Sequence, residues 1–231
     1  AVRSELTPSE EKIHNTAFIV DGDGTRLGYY DKVHLLAFGE YLPLGDTFPV
    51  LYDLSPQSSH FDKGEGRTVL PFGDHRIAAL ICYEDILPWY VNRIMGVTDP
   101  SPDLMVNITN DAWFGETTEP EIHLALAAFR AVEQRRWLVR ATNSGISAFV
   151  DPNGRIVSRT PVMERASLVH DVAFMSGVTV YSAAGWLLDW ICALAYIVAL
   201  VTRGAARGQN PSPADQRGGD RRRRRGRKQP R

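Results

Sequence analysis

The order of apolar runs along the chain predicts an α/β fold with a covered sheet. Two near-continuous apolar runs, Arg76–Tyr83 and Asp103–Thr109, are bounded by turn residues, the pattern of strands buried on both faces. A helical pattern follows the second run, and short β-type runs on either side of an Asp-Pro-Asn-Gly turn follow the helix.

In chain order, Thr16–Asp21, the turn-forming Asp23-Gly24 and Leu27–Tyr30 read as a hairpin. Arg76–Tyr83 is a strand that gives way at Glu84-Asp85 to a helix-like stretch ending at Trp89-Tyr90. Asp103–Thr109 is the second buried strand. Thr118-Glu119-Pro120-Glu121 has the form of a capping box with an early proline, and it opens a helix whose Ile122, Leu126, Phe129 and Val132 fall on one face. Leu138–Thr142, Ile146–Asp151 and Arg155–Arg159 return to strands, the last two joined by the turn Asp151-Pro152-Asn153-Gly154. No internal repeat interrupts this order.

The 231 residues, 44% hydrophobic and 23% charged, suit one domain of catalytic size and exclude a disordered or collagen-like chain. The net charge of -1 is a cancellation, because residues 203–231 are rich in arginine while residues 1–202 are acidic. Cys82 and Cys192 are the only cysteines, which excludes a disulfide framework and leaves the redox compartment open. Ala183–Thr202 is 20 residues long with a single charge, Asp189, and is expected to be a transmembrane helix. Trp186 and Trp190 lie toward one end and the arginines beyond the other, so the positive-inside rule puts the C-terminus in the cytoplasm and residues 1–180 outside. The polar, acidic start AVRSELTPSEEK is no signal peptide, which implies further polypeptide upstream. The organisation expected is a partial catalytic domain over 1–182, a membrane helix over 183–202 and a basic disordered tail over 203–231. The tail RRRRRGRKQPR lacks interleaved aromatics or a nucleic-acid motif, so its expected partner is the membrane surface and not nucleic acid.

Cys82 ends an apolar strand just before a predicted turn. Such a site projects a nucleophile into a cleft beside backbone N–H groups, although a cysteine in an apolar strand also serves as a small core residue. Lys32 follows two aromatics and precedes an apolar stretch ending at Phe38-Gly39-Glu40. It suits an oxyanion or a thiolate partner, and equally a solvated loop. Glu40 and Glu84 are carboxylates in apolar context, candidates for proton transfer, for orienting the lysine or for ordinary salt bridges. Trp113 and Phe114 read either as an apolar lip for an acyl chain or as plugs beneath the following helix. The six histidines have no metal-ligand spacing, so neither metal nor cofactor is expected.

The blocks DKVHLLAFGEYLPL (31–44), AALICYED (78–85), NITNDAWFG (107–115), HLALAAFRAVEQRR (123–136) and RATNSGISAFVDPNGRI (140–156) together resemble the nitrilase, or carbon-nitrogen hydrolase, superfamily. With the terminal apolar run they are similar to its apolipoprotein N-acyltransferase family. That resemblance implies a nitrilase-like αββα sandwich, N-terminally incomplete here, followed by a C-terminal transmembrane helix in a bacterial cell membrane. It puts the nucleophile on Cys82, the catalytic lysine on Lys32, auxiliary glutamates on Glu40 and Glu84, and lipid contacts on Trp113 and Phe114. It implies acyl transfer from a phospholipid donor, through a Cys82 thioester, to the α-amine of a diacylglyceryl-cysteine lipoprotein. The family's general-base glutamate falls upstream of residue 1, so the chain alone is expected to be inactive and to need the upstream portion of the enzyme, in the same or a separate chain. Two further readings use the same residues: a membrane-tethered amide hydrolase with water as acceptor, and a non-catalytic lipid-binding remnant.

Overall fold

Strand β5 (His75–Ile81) is buried without a break from Ile77 to Ile81, which requires cover on both of its faces. The computed structural model describes residues 1–6, 11–66, 69–96 and 100–209, with the side chains of Trp186 and 204–209 not described. The chain divides into two units, Ala1–Ala183 and Ala184–Arg231.

In the first unit, β1 (Val2–Leu6), β2 (Glu11–Val20) and β3 (Arg26–Asp31) form an antiparallel three-stranded sheet. A six-stranded sheet runs in the order β4 (Val69–Phe72), β5, β6 (Leu104–Thr109), β7 (Leu138–Thr142), β8 (Ala148–Val150), β9 (Ile156–Arg159). Its centre, β5-β6-β7, is parallel and its two edges are antiparallel. The parallel links force crossovers, and these carry α2 (Pro88–Met95) and α3 (Glu119–Gln134), which pack on one another and cover the sheet. β2 and β3 pack against β4 and β5, so two sheets meet and one is covered by helices. The remaining helix of this unit, α1 (Val50–Leu54), buries no residue. Leu80, Ile94, Met105, Leu124 and Leu138 are fully buried between these layers, each contributing roughly 1.5–3 kcal/mol.

Both predicted turns form for one reason. The Asp21 carboxylate accepts from the N–H groups of Asp23 (3.0 Å) and Thr25 (2.8 Å), and Asp151 does the same for Asn153 (2.8 Å) and Arg155 (2.9 Å). Gly154 completes the second turn at φ 82°, where a side chain would be strained.

One expectation about α3 is corrected and another is met with a detail added. Thr118 makes no capping bond, because it is already in the helical region and the Glu121 carboxylate that would close the box is held by Arg159. The Thr117 hydroxyl instead accepts from the Glu119 N–H at 3.3 Å. Ile122, Leu126, Phe129 and Val132 do share a face, but that face is exposed. The buried face is His123, Leu124, Ala127, Ala128 and Ala131, with Arg130 and Gln134, and its three alanines let the helix come close to β7 and the turn after β5.

Helix α4 (Val180–Gln209) begins before Ala184 and continues past the predicted end at Thr202. Among the described residues no helix is long and apolar enough to cross a membrane. Of the basic tail, residues 210–231 lie outside the described residues. Both cysteines are free.

The junction after β3 tests how tightly the two sheets are fitted. The Gly64 N–H donates to the Lys32 carbonyl (2.8 Å), and a Cβ on Gly64 would lie 2.3 Å from the Asp31 carbonyl oxygen. Gly64→Ala is therefore expected to cost about 1–3 kcal/mol and to lower Tm by several degrees. Gly66→Ala, with open space around the new methyl, is the control that should melt like the parent.

Candidate active site

Three chain segments converge at the C-terminal ends of the parallel strands. β3 ends at Asp31, and the next residue, Lys32, turns its side chain inward to 1% exposure. The following loop folds Glu40 back, and its carboxylate accepts from Lys32 Nζ (2.6 Å), the Leu36 N–H (2.8 Å) and Asn15 Nδ2 (2.9 Å). β5 gives way at Cys82 to a 3₁₀ turn, Cys82–Ile86, with Cys82 itself at φ 54°. This left-handed geometry on a non-glycine residue is strained, and it swings the thiol out of the sheet.

Cys82, Lys32 and Glu40 line one cleft of about 650 Å³ together with Trp113, Phe114, Leu36, Phe38, Phe61 and Ile108. The cleft thus pairs a thiol and an ammonium–carboxylate couple with an apolar wall. Trp113 lines the cleft and stands 74% exposed. Burial pushes the Cys82 thiol above its ordinary pKa, opposed by the Lys32 charge, the Thr109 hydroxyl and the Tyr83 N–H. The resting group is then a neutral thiol, which must give up a proton before it can attack.

Glu84 is brought to the same turn but does not line the cleft. Fully buried, it accepts from the Tyr30 hydroxyl (2.7 Å) and from the N–H groups of Val33, His34 and Ile81 (each 2.9 Å). Its contacts tie the lysine loop to the Cys82 turn. Burial raises its pKa, and those donors oppose the shift.

Sequence reasoning missed what lies beneath the turn. Arg140 on β7 donates to Asp85 (2.5 Å) and Asp111 (3.0 Å), and His123 on α3 bridges the same two carboxylates at 2.9 and 3.1 Å. All four are buried and charge-balanced when His123 is protonated. The one available signal was a cation within each apolar element, Arg140 in LVRAT and His123 in α3. Burial opposes the charge on His123, but its two aspartates outweigh that and raise its pKa to about 9. Asp111, Glu119 and His123 also bring one ligand atom each within 4.8 Å of one another. Both ring nitrogens of His123 are already engaged by carboxylates, however, and Asp111 is shared with Arg140, so the protein's own cations occupy that cluster.

Comparison with known proteins gives this arrangement a family. A family model described as carbon-nitrogen hydrolase matches residues 2–176. The chain belongs to the carbon-nitrogen hydrolase family. Among curated members it is 39% identical over 198 residues to the apolipoprotein N-acyltransferase of Bdellovibrio bacteriovorus, covering 83% of this chain and 36% of that protein. It is 36% identical over 217 residues to the apolipoprotein N-acyltransferase of Azotobacter vinelandii, covering 92% of this chain and 40% of that protein. The chain therefore spans well under half the length of the curated relatives it matches. Among solved structures, Saccharomyces cerevisiae Nit3, a member of branch 10 of the nitrilase superfamily, superposes with a TM-score of 0.51 at 22% identity, covering 71% of this chain and 55% of that one. That likeness shows the nitrilase-like α/β fold.

In this carbon-nitrogen hydrolase family member the ionic ring makes stability depend on pH. A raised folded-state pKa on His123 stabilises fully below its ordinary value near 6.5, and the contribution is lost as pH rises toward about 9. Tm is expected to fall across that window. His123→Gln should flatten the fall and cost about 3 kcal/mol at neutral pH, measured by thermal melts, because two buried carboxylates then face one cation.

Proposed function

We propose that this chain carries the acyl-transfer machinery of an apolipoprotein N-acyltransferase. The Cys82 sulfur displaces the lysophospholipid alcohol from a phospholipid ester and holds the acyl group as a thioester, and the α-amine of a diacylglyceryl-cysteine lipoprotein then takes the acyl group as an amide and returns the free thiol. The observation that carries this reading is the meeting of a thiol, a buried lysine and a paired glutamate in one apolar-walled cleft. The similarity to proteins named apolipoprotein N-acyltransferase supports it.

Each half-reaction passes through a tetrahedral centre whose oxygen carries negative charge. Lys32 stabilises that oxygen, and Glu40 holds the ammonium in place through a 2.6 Å contact. Trp113 and Phe114, with Phe38 and Leu36, take the hydrocarbon chain. Glu84 acts through the backbone, keeping the Lys32 loop and the Cys82 turn in register. Glu40 is the one carboxylate lining the cleft among the described residues, and its oxygens are already shared with Lys32, Asn15 and the Leu36 N–H. The same proposal places the proton acceptor for thiol and amine outside residues 1–231 and has the chain alone inactive.

Membranes holding a polypeptide of the relatives' length that includes this sequence, given an alkyne-tagged phospholipid, should gain hydroxylamine-labile label on Cys82. A diacylglyceryl-cysteine peptide with a free α-amine should discharge it. Cys82→Ala should abolish the label, and Lys32→Ala should slow its formation roughly 10²–10³-fold. Label that water removes equally fast with or without the peptide would make the protein an amide- or ester-hydrolysing relative instead. Label retained by Cys82→Ala would end the assignment.

The same reading sets Ala183–Thr202 in the bacterial cell membrane, with the catalytic unit on the outer face and the arginine tail in the cytoplasm. Its supports are the exposed Leu188, Ile191, Leu194 and Ile197 of α4 and the arginines that follow. Protease added to spheroplasts should destroy an epitope in residues 1–180 and spare a C-terminal tag. Loss of the tag with the membrane intact would reverse the orientation.

A further inference from the structure

Nothing in the proposed chemistry uses the buried Arg140–Asp85–His123–Asp111 ring, yet two separate lines of contact run from it to Cys82. The first goes through Asn107, wholly buried in β6. Its Oδ1 accepts from Arg140 Nη1 (3.0 Å) and its Nδ2 donates to the Cys82 carbonyl (3.0 Å). The second goes through Tyr83, next in the chain to Cys82, whose ring stacks face to face on His123 with centroids 4.6 Å apart and planes 5° from parallel. The Tyr83 hydroxyl donates to Glu119, the residue one turn before His123 on α3.

Cys82 needs such support. Its φ of 54° is unfavourable for a residue with a side chain, and it persists only where the surroundings over-determine it. The Asn107 bond fixes the carbonyl of that strained residue, and the Tyr83 stack fixes the residue on the far side of the same peptide bond, so both hold the link that leaves Cys82.

We propose that the ring, acting through Asn107 and through the Tyr83–His123 stack, positions the Cys82 thiol, so that His123, Arg140 and Asn107 are positioning residues for the reaction. This rests on the reading of Cys82 as nucleophile. The groups facing His123 are Asp85 and Tyr83 from the turn after β5, Asp111 from the segment after β6, Glu119 at 3.9 Å from its own helix, and Arg140 from β7. Loss of its proton leaves Asp85 and Asp111 with Arg140 alone. The ring then relaxes, and both lines of support to Cys82 slacken together.

Alkylation by iodoacetamide reads this directly. In the full chain carrying Cys192→Ser, the reagent reports on Cys82 alone, and rates are taken from about pH 6 to about pH 10 with the fold followed by circular dichroism. The rate per thiolate in this parent should break downward near pH 9, as His123 loses its proton. His123→Gln should abolish that break and sit at the lower rate throughout. Asn107→Ala keeps every charge of the ring and cuts one line of contact, and it should slow alkylation about tenfold. Should His123→Gln fail to fold, Asn107→Ala decides the matter. Folded variants that alkylate with the parent's rates and pH profile would overturn the positioning role alone. Acyl transfer retained by Cys82→Ala would remove the reading beneath it and overturn both.

Discussion

Glu84 is a carboxylate taken wholly out of water, and four hydrogen bonds repay its desolvation. Three of the donors belong to the end of β3 and the loop after it, while the fourth is the N–H of Ile81, the last residue of β5. The carboxylate therefore sets the distance between the segment bearing Lys32 and the turn bearing Cys82. Tyr30 extends the link, since its hydroxyl also meets that of Tyr90 on α2 at 2.5 Å. Strand, turn and helix are in this way locked around one buried charge. A shorter side chain at this point would leave several buried donors unanswered at once.

Much of the fold was legible because its strands announce themselves. Ile77–Ile81 and the β6 run are apolar enough for no other reading, and the Asp21 and Asp151 turns carry their own hydrogen-bond chemistry. β1 and β4 went unread because they are short edge strands, whose pairing supplies what their composition does not. The exposed bulky face of α3 shows where periodicity stops being informative. Its bulky stripe marks a helix correctly, but which stripe turns inward depends on how near the neighbouring elements come, and that belongs to tertiary packing.

The same holds at the site. Cys82, Lys32 and Glu40 stand at the ends of recognisable elements, and the structure brings all three to one cleft. Glu84, named with them on the same local grounds, turns away from it because its donors lie on the other side of the turn. Asp85, Asp111, His123 and Arg140 are scattered over more than fifty residues, and each taken alone is an ordinary charge. Only folding makes them neutralise one another, a relation that no local window contains.

Five non-glycine residues adopt left-handed backbone among the described residues, and two of them, Phe38 and Cys82, line the cleft. Each such residue carries a penalty of order 1–3 kcal/mol that glycine would relieve. Drift toward greater stability would thus favour replacing the thiol with a bare hydrogen at a position that lines the cleft. On the proposed acyl transfer, keeping a cysteine there sets reactivity above durability, in a segment where the rest of the fold has enough rigidity to bear it.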